Sequence, residues 1–377
     1  MNKKLKYGLI ITSAAISFNI LYGLNKIRKV NRNLPASYKE IKVVNIDNVK
    51  DKNIIITGAN TGIGREVAYE LLEHGANVIF ACRDEKKALE AIKQFKEFSH
   101  TDALNASFIK LDLCDYDSIH EFFKEIKRRN INIDILINNA GLIRAINNKP
   151  YNKILLNSIG DIDTVMQTNH LGPMTLTLLL LELFNKNEAR IINLTSNLYE
   201  LSNIKACINS NNNNTNNISN LFLESTGSSK LITKYSNSNL AIIYFNSYLS
   251  NVLQKNYPYI KTISINPGNV DTDLKNQISQ SFVWMFRPLL KLLFNCAIKY
   301  ISKTPNMGAQ PILAKCYVGI DDIVNGGYYE EFELKDLGII DEKTDNTLYR
   351  DSLLDQSWKV IDEEMKDIFQ INKPKLD

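Results

Sequence analysis

The stretch from Asn53 to Gly64 constrains the fold of this chain more than any other. It opens with a short β-branched apolar run over 53–56, which has the length and composition of a fully buried parallel strand. A loop with Gly58, Gly62 and Gly64 follows, and a helix-type segment runs from Arg65 to His74. A strand, a glycine turn and a helix start aim backbone N–H groups and the positive end of a helix dipole at a phosphate. The stretch therefore indicates nucleotide binding, and an ordinary tight turn is the alternative.

Composition limits the classes of function. A chain of 377 residues can bury a full core, and one large α/β domain with a tail fits this length. The net charge of +4 is too small to argue for a nucleic-acid partner. Five cysteines, odd in number and without a C-x-x-C pair, argue against a metal site and a disulfide framework. They favour a reducing compartment.

Residues 1–35 are predicted to form a membrane anchor or a targeting segment. An uncharged run from Tyr7 to Leu24 lies between basic flanks and just reaches the length of a membrane-spanning helix, roughly 20 residues. No clear A-x-A cleavage site ends the run, which favours a retained signal anchor over a cleaved signal peptide. The denser positive charge on the C-terminal flank places the main domain in the cytoplasm. In the rival interpretation, Asn25 to Lys42 belongs to an organelle-targeting leader.

The end of the second predicted strand, Asn77 to Cys82, bears on the choice of cofactor. In dinucleotide-binding folds this end meets the adenosine ribose, where an acid prefers the free 2′-hydroxyl of NAD. Here the strand runs into Arg83, whose guanidinium suits a 2′-phosphate. NADP(H) is therefore predicted. Asp84 follows directly and keeps NAD(H) open, and a solvated surface arginine is the remaining interpretation.

The glycine loop resembles that of a known family. Its spacing, Thr-Gly-x-x-x-Gly-x-Gly over 57–64, differs from G-x-G-x-x-G and resembles the cofactor loop of the short-chain dehydrogenase/reductase family. Together with the sequence Ala-Cys-Arg-Asp at 81–84, it is most similar to the retinol-dehydrogenase-like branch. The resemblance implies an α/β fold over 36–377: a single doubly wound, Rossmann-type parallel sheet of about seven strands with helices on both faces.

The same resemblance assigns cofactor-binding residues. Asp112 matches the position that hydrogen-bonds the adenine ring, and Asn-Asn-Ala-Gly at 138–141 matches a second fingerprint that lines the cofactor cleft. The segment Pro267 to Thr272 matches a motif that grips the nicotinamide carboxamide. The residues implied are Gly58, Asn60, Thr61, Gly62, Ile63, Gly64, Arg83, Asp112, Asn139, Ala140, Gly141, Pro267, Gly268 and Thr272.

Catalysis in the resembled family depends on Tyr-x-x-x-Lys, with Tyr235 as the acid/base here. The resemblance also assigns Ser196 to the substrate oxygen and Asn169 to a proton-relay water, and makes the neighbouring His170 a packing or capping residue. The lysine position of the motif holds Asn239. Lys234 is one residue before the tyrosine, roughly 100° away around a helix, so the phenol is expected to titrate near its free value of about 10.

Three further segments carry predictions. An insertion near 203–220 contains the polar tract 209–217, which is predicted to be a disordered surface loop. A segment near 275–303, rich in large apolar residues over 281–301, is implied to be the substrate-binding lid; a bilayer-surface helix or plain core packing are the alternatives. The apolar run Met174 to Phe184 is predicted to be a buried interface helix, which leaves a homodimer open.

Two classes of function remain at this point. The first is an NADP(H)-dependent oxidoreductase that interconverts a small lipophilic carbonyl and an alcohol with weakened chemistry. It would be anchored to the endoplasmic reticulum with its catalytic domain facing the cytoplasm, or targeted to another organelle. The second is a catalytically impaired scaffold or sensor that binds NADP(H).

Overall fold

The computed structural model describes residues 46–99, 105–143, 155–156, 160–161, 163–204, 231–272, 302–337 and 345–365. The predicted anchor, the polar tract and most of the lid segment lie outside these ranges, so the predictions for them stand as predictions. Within the described ranges, the helices are all too short or too polar to cross a membrane.

Strands and helices alternate along the described chain. The strands are β1 Asn53–Thr57, β2 Asn77–Cys82, β3 Ala106–Lys110, β4 Ile135–Asn138, β5 Leu155–Leu156, β6 Gly160–Asp161, β7 Ala189–Leu194, β8 Ile260–Asn266, β9 Tyr328–Glu330 and β10 Glu333–Lys335. The helices are α1 Gly62–Glu73, α2 Glu85–Phe98, α3 Tyr116–Arg128, α4 Thr164–Met166, α5 Gly172–Leu180, α6 Leu231–Asn256, α7 Pro305–Tyr317 and α8 Asp345–Met365. A π-helical turn over Gln167–Leu171 joins α4 to α5.

The main sheet has the order β10-β9-β8-β7-β4-β1-β2-β3. Neighbouring strands run parallel except β9 and β10, which pair antiparallel. The doubly wound α/β sheet is confirmed, with eight strands instead of about seven. The three-residue strands β9 and β10 were not placed from the sequence, because they are too short for a periodicity signal.

Two hydrophobic cores lie on opposite faces of this sheet. In β1, Ile54 and Ile56 belong to one core and Ile55 to the other, as the two-residue period of a strand requires. The first core also holds residues of α1, α2 and α7, and the second holds residues of α3, α5, α6 and α8. Because both faces are covered, Ile54, Ile55 and Ile56 are all buried, which explains the unbroken apolar run in the middle of β1.

The position of β1 in the sheet locates the ligand crevice. The chain adds β2 and β3 on one side of β1 and then crosses to place β4 on the other side. In open α/β sheets, ligands bind outside the carboxyl ends of the strands at such a switch point. The glycine loop follows β1 there, and the Asn-Asn-Ala-Gly segment continues from β4.

Candidate active site

The glycine loop forms a cradle that side chains would fill. Gly58 and Gly62 have φ angles of +66° and +57°, in the left-handed region that favours glycine. A Cβ added at Gly58 would lie 3.1 Å from the Cα of Ala140, and one added at Gly64 would lie 2.3 Å from Nδ2 of Asn139. The loop backbone therefore packs directly on the segment that follows β4.

Thr57 joins the two fingerprints into one unit. Its Oγ1 accepts hydrogen bonds from the backbone N–H groups of Asn139 at 3.0 Å and Ala140 at 2.9 Å. In return, Nδ2 of Asn139 donates to the carbonyl of Thr57 at 2.8 Å. This role of Thr57 was not predictable from the sequence, because no pattern in a single sequence shows which main-chain groups a strand-end hydroxyl will contact.

The N-terminus of α1 opens into this cradle. Thr61 is its N-cap residue in an extended conformation, and its side chain makes no capping hydrogen bond to the first turn. Asn60 and Ile63 flank it and are half-buried. A Cβ on Gly62 would lie 3.5 Å from Cγ2 of Thr272, so the loop after β8 closes the cradle from the other side. Unsatisfied helix N–H groups in a side-chain-free cradle suit a phosphate.

The end of β2 presents an arginine, and the acidic residue beside it caps a helix. Arg83 is exposed at the end of β2. Asp84 is the N-cap of α2, where its carboxylate accepts a hydrogen bond from the backbone N–H of Lys87 at 3.1 Å. At the end of the neighbouring β3, Oδ1 of Asp112 accepts from the backbone N–H of Cys114 at 3.0 Å. The carboxylate that keeps the NAD(H) alternative open therefore also caps a helix.

Asn169 lies in the π-helical turn, a feature often found at functional sites. Its Oδ1 accepts from the backbone N–H of Leu142 at 2.9 Å, and its Nδ2 donates to the Leu142 carbonyl at 2.8 Å. Nδ2 also lies 3.0 Å from Oγ of Ser238 in α6. The side chain thereby ties the residue after Gly141 to the helix that carries Tyr235.

His170, beside it, faces the protein interior. Its Nε2 lies 2.9 Å from Oγ of Ser357 in α8. Complete burial lowers the pKa of His170 to about 3, so the ring is neutral at physiological pH. It packs the π-helical turn against α8, which is the packing role the sequence indicated.

Tyr235 is half-buried in the first turns of α6, and burial raises the pKa of its phenol. Hydrogen bonding from the side chains of Asn239 and Ser196 acts in the opposite direction and is the smaller effect. Ser196 follows β7 and caps a 3₁₀ turn over Asn197–Leu201, with its Oγ 3.3 Å from the backbone N–H of Leu198. The expectation of a pKa near the free phenol value was wrong, because the sequence shows that a cation is missing but not how far the ring is desolvated.

The Asn239 side chain is satisfied within the protein. It is 3% exposed. Its Nδ2 donates to the backbone carbonyl of Tyr235 at 2.7 Å, and its Oδ1 accepts from Oγ1 of Thr195 at 3.2 Å. The amide therefore binds the helix backbone and the end of β7.

Lys234, beside the tyrosine, is held away from the phenol. Its Nζ forms an ion pair with the buried carboxylate of Asp163, the N-cap of α4. This pair joins the start of α6 to the helical segment that contains Asn169. Sequence spacing indicated that Lys234 faces away from the lysine position of the motif, but gave no sign of Asp163 as its partner.

The turn after β8 completes the site. Gly268 has a φ of +82°, and its backbone N–H donates to Oδ1 of Asn266 at 3.0 Å. Pro267 is buried, and Thr272 faces the glycine loop as described above. The predicted residues from β1, β4, the π-helical turn, α6 and β8 thus converge on the carboxyl edge of the sheet.

Comparison with known proteins agrees with this architecture. The family model for short chain dehydrogenase matches residues 52–208. Human retinol dehydrogenase 11 is 32% identical over 281 residues, which cover 74% of this chain and 77% of the relative. Salutaridine reductase from Papaver somniferum has a similar fold, with a TM-score of 0.52 and 21% identity over 74% of this chain and 99% of its own. An actinorhodin polyketide ketoreductase solved with NADPH gives a TM-score of 0.52 and 18% identity, covering 74% and 95% of the two chains.

Proposed function

Because the chain belongs to the short-chain dehydrogenase family, we propose that it is an NADP(H)-dependent oxidoreductase that interconverts a lipophilic carbonyl compound and its alcohol, with reduction favoured. The observation that carries this proposal is the arrangement of Tyr235 and Ser196 at the carboxyl edge of a sheet whose glycine cradle suits a dinucleotide. The lipophilic substrate class follows from the relative named a retinol dehydrogenase.

The described residues fit a nicotinamide dinucleotide in three places. The cradle of Gly58, Gly62 and Gly64 with the uncapped start of α1 would hold the pyrophosphate. Arg83 would hold the 2′-phosphate, and the Pro267–Thr272 turn would contact the nicotinamide half. When bound, the cofactor would supply or accept a hydride.

The protein's own residues would then transfer the proton and orient the substrate. The Tyr235 phenol donates its proton to the substrate oxygen as that oxygen gains negative charge. The Ser196 hydroxyl donates a hydrogen bond to the same oxygen and orients it. Asn169 fixes the main chain of Leu142 and the position of Ser238, and so keeps the second fingerprint and the tyrosine helix in register.

The direct test uses purified full-length protein in detergent micelles. NADPH oxidation is followed over a panel of hydrophobic aldehydes and ketones, with product alcohols identified by mass spectrometry. Turnover of at least one carbonyl compound supports the enzyme. Tight NADPH binding without turnover anywhere in the panel would contradict it.

Arg83 gives a prediction about cofactor choice. NADPH should bind more tightly than NADH. Arg83→Ala should reduce the difference between their binding free energies by about 1–3 kcal/mol, the contribution typical of a charged hydrogen-bonding partner. Titration calorimetry with both cofactors measures the gap. Asp84→Asn is the matched control, because that residue caps α2 and should leave the gap in place. Equal affinities for the two cofactors in the unmutated protein would refute the assignment.

The raised pKa of Tyr235 gives a prediction about pH. The phenol stays protonated through neutral pH, so reduction should be almost constant between about pH 6 and 9 and fall only as the pH approaches that pKa. Oxidation needs the phenolate, so its rate should rise about ten-fold for each pH unit over the same range. Initial rates in both directions across pH provide the measurement. An oxidation rate that levels off below pH 8 would show that the phenol ionises near neutrality.

A second function is favoured by the contacts of Asn239. Its amide bonds Thr195 and the Tyr235 backbone as well as the phenol, and the side chain at that position carries no charge. In the resembled motif a lysine at that position lowers the tyrosine pKa and holds the nicotinamide ribose. A protein that binds NADP(H) without turnover, as a scaffold or sensor, is therefore the competing proposal.

A further inference from the structure

Lys303 and Glu331 form an ion pair, with the lysine buried and the glutamate half-buried, to which the proposed chemistry gives no role. Nζ of Lys303 lies 2.5 Å from Oε1 of Glu331, and the lysine side chain is only 4% exposed. Removing two charges from water is costly unless they pair closely, and such pairs often specify a geometry more than they add stability. The surroundings of the pair therefore indicate what it arranges.

The pair lies directly against the turn after β8. A Cβ on Gly268 would lie 2.8 Å from Nζ of Lys303 and 2.8 Å from Oε1 of Glu331. Main-chain hydrogen bonds fix the same contact: the N–H of Lys303 donates to the carbonyl of Asn269, and the N–H of Asp271 donates to the carbonyl of Lys303, both at 2.8 Å.

Glu331 is anchored beside the same strand end. Its backbone N–H donates to the carbonyl of Asn266 at 2.7 Å, directly before the turn. The turn is thus held on both sides by the segments that supply the two charges. Glycine at 268 is required both by its positive φ and by the closeness of the pair.

The location of this turn assigns it to one half of a dinucleotide. The pyrophosphate site is the start of α1, and the adenosine site is the end of β2, on the β2 side of the switch point. The turn follows β8, on the opposite side of β1, and Thr272 at its far end faces Gly62. A dinucleotide lying across the crevice would therefore reach the turn with its nicotinamide half.

We propose that the Lys303–Glu331 pair is a positioning device that holds the Pro267–Thr272 turn in its cofactor-binding shape before the nicotinamide arrives. Preorganisation of this kind raises affinity because the turn loses no further freedom on binding. The inference rests on the proposed function, since it requires a nicotinamide dinucleotide in the crevice.

The test separates the two halves of the cofactor. Titration calorimetry measures binding of NADPH and of 2′-phospho-ADP-ribose, which lacks the nicotinamide, to the full-length protein. Lys303→Met should weaken NADPH about ten-fold, the scale of about 1.4 kcal/mol, and leave the fragment within about two-fold. A general loss of structure would weaken both ligands together.

Two further variants guard against misfolding. Lys303→Met combined with Glu331→Gln removes both charges of the pair, so neither is left without the other, and the variant should fold and still show the selective loss of NADPH affinity. Lys52→Met is the matched control: Lys52 pairs with Asp134 at 3.3 Å before β1 and β4, at the opposite edge of the sheet, and its loss should affect neither ligand.

Three other results would contradict the inference. NADPH affinity restored to the unmutated value in the double variant would show that the pair serves stability alone. Equal weakening of both ligands in the double variant would also overturn the inference. Failure of the unmutated protein to bind either ligand would overturn the proposed function, and the inference with it.

Discussion

Tyr235→Phe should abolish reduction and oxidation, lowering both rates by about 10²- to 10⁴-fold, the usual contribution of a positioned proton donor. The phenol is the group proposed to exchange a proton with the substrate oxygen, and Ser196 remains only as a hydrogen-bonding partner. The phenyl ring fills the same space, so the fold and NADPH affinity should be unchanged. Initial rates in both directions, with calorimetric NADPH binding on the same samples, provide the measurement.

The matched control for this change lies in the same helix. Tyr244 is also in α6, is 0% exposed, and its hydroxyl has no hydrogen-bond partner among the described residues. Tyr244→Phe therefore removes the same atom from the same helix without touching the site, and both rates should be retained. Equal activity of Tyr235→Phe and Tyr244→Phe would show that Tyr235 transfers no proton.

Asn239→Lys should raise turnover by about ten-fold or more, mainly in the oxidation direction. A cation one helical turn from Tyr235 favours the phenolate and so lowers the phenol pKa, which burial now raises. The onset of oxidation should accordingly move to lower pH, while reduction at neutral pH changes less because the phenol is already protonated there. Rates against pH in both directions measure the shift.

The controls for this variant concern charge and space. The lysine must displace the amide contacts of Asn239 with Thr195 and the Tyr235 backbone, so thermal unfolding should be recorded alongside. Asn239→Met provides length without charge and should give no gain. Suppose that the unmutated protein and Asn239→Lys both bind NADPH yet turn over no hydrophobic carbonyl or alcohol. The defect would then extend beyond one residue, and the scaffold proposal would replace the enzyme.

Some features of the site are readable from short stretches of sequence because their causes are local. The glycines at 58 and 62 are required by positive φ angles within their own loop, so the glycines with their flanking strand and helix were enough to predict a cradle there. Asp84 shows the limit of this approach. Its position after β2 kept NAD(H) open as the cofactor, and the sequence did not predict that its carboxylate caps the first turn of α2.

The buried strands and the glycine turns were readable from the chain alone, because each leaves a pattern within about ten residues, and the resemblance carried by these motifs implied the doubly wound sheet. The electrostatics of the site, in contrast, follow from contacts that form on folding. Two ion pairs join segments that are far apart in the chain, Lys303 with Glu331 and Lys234 with Asp163. The burial that desolvates Tyr235 likewise comes from packing against distant segments. A charge in a sequence has no environment until folding supplies its neighbours and removes its water, and that environment sets its pKa and its role.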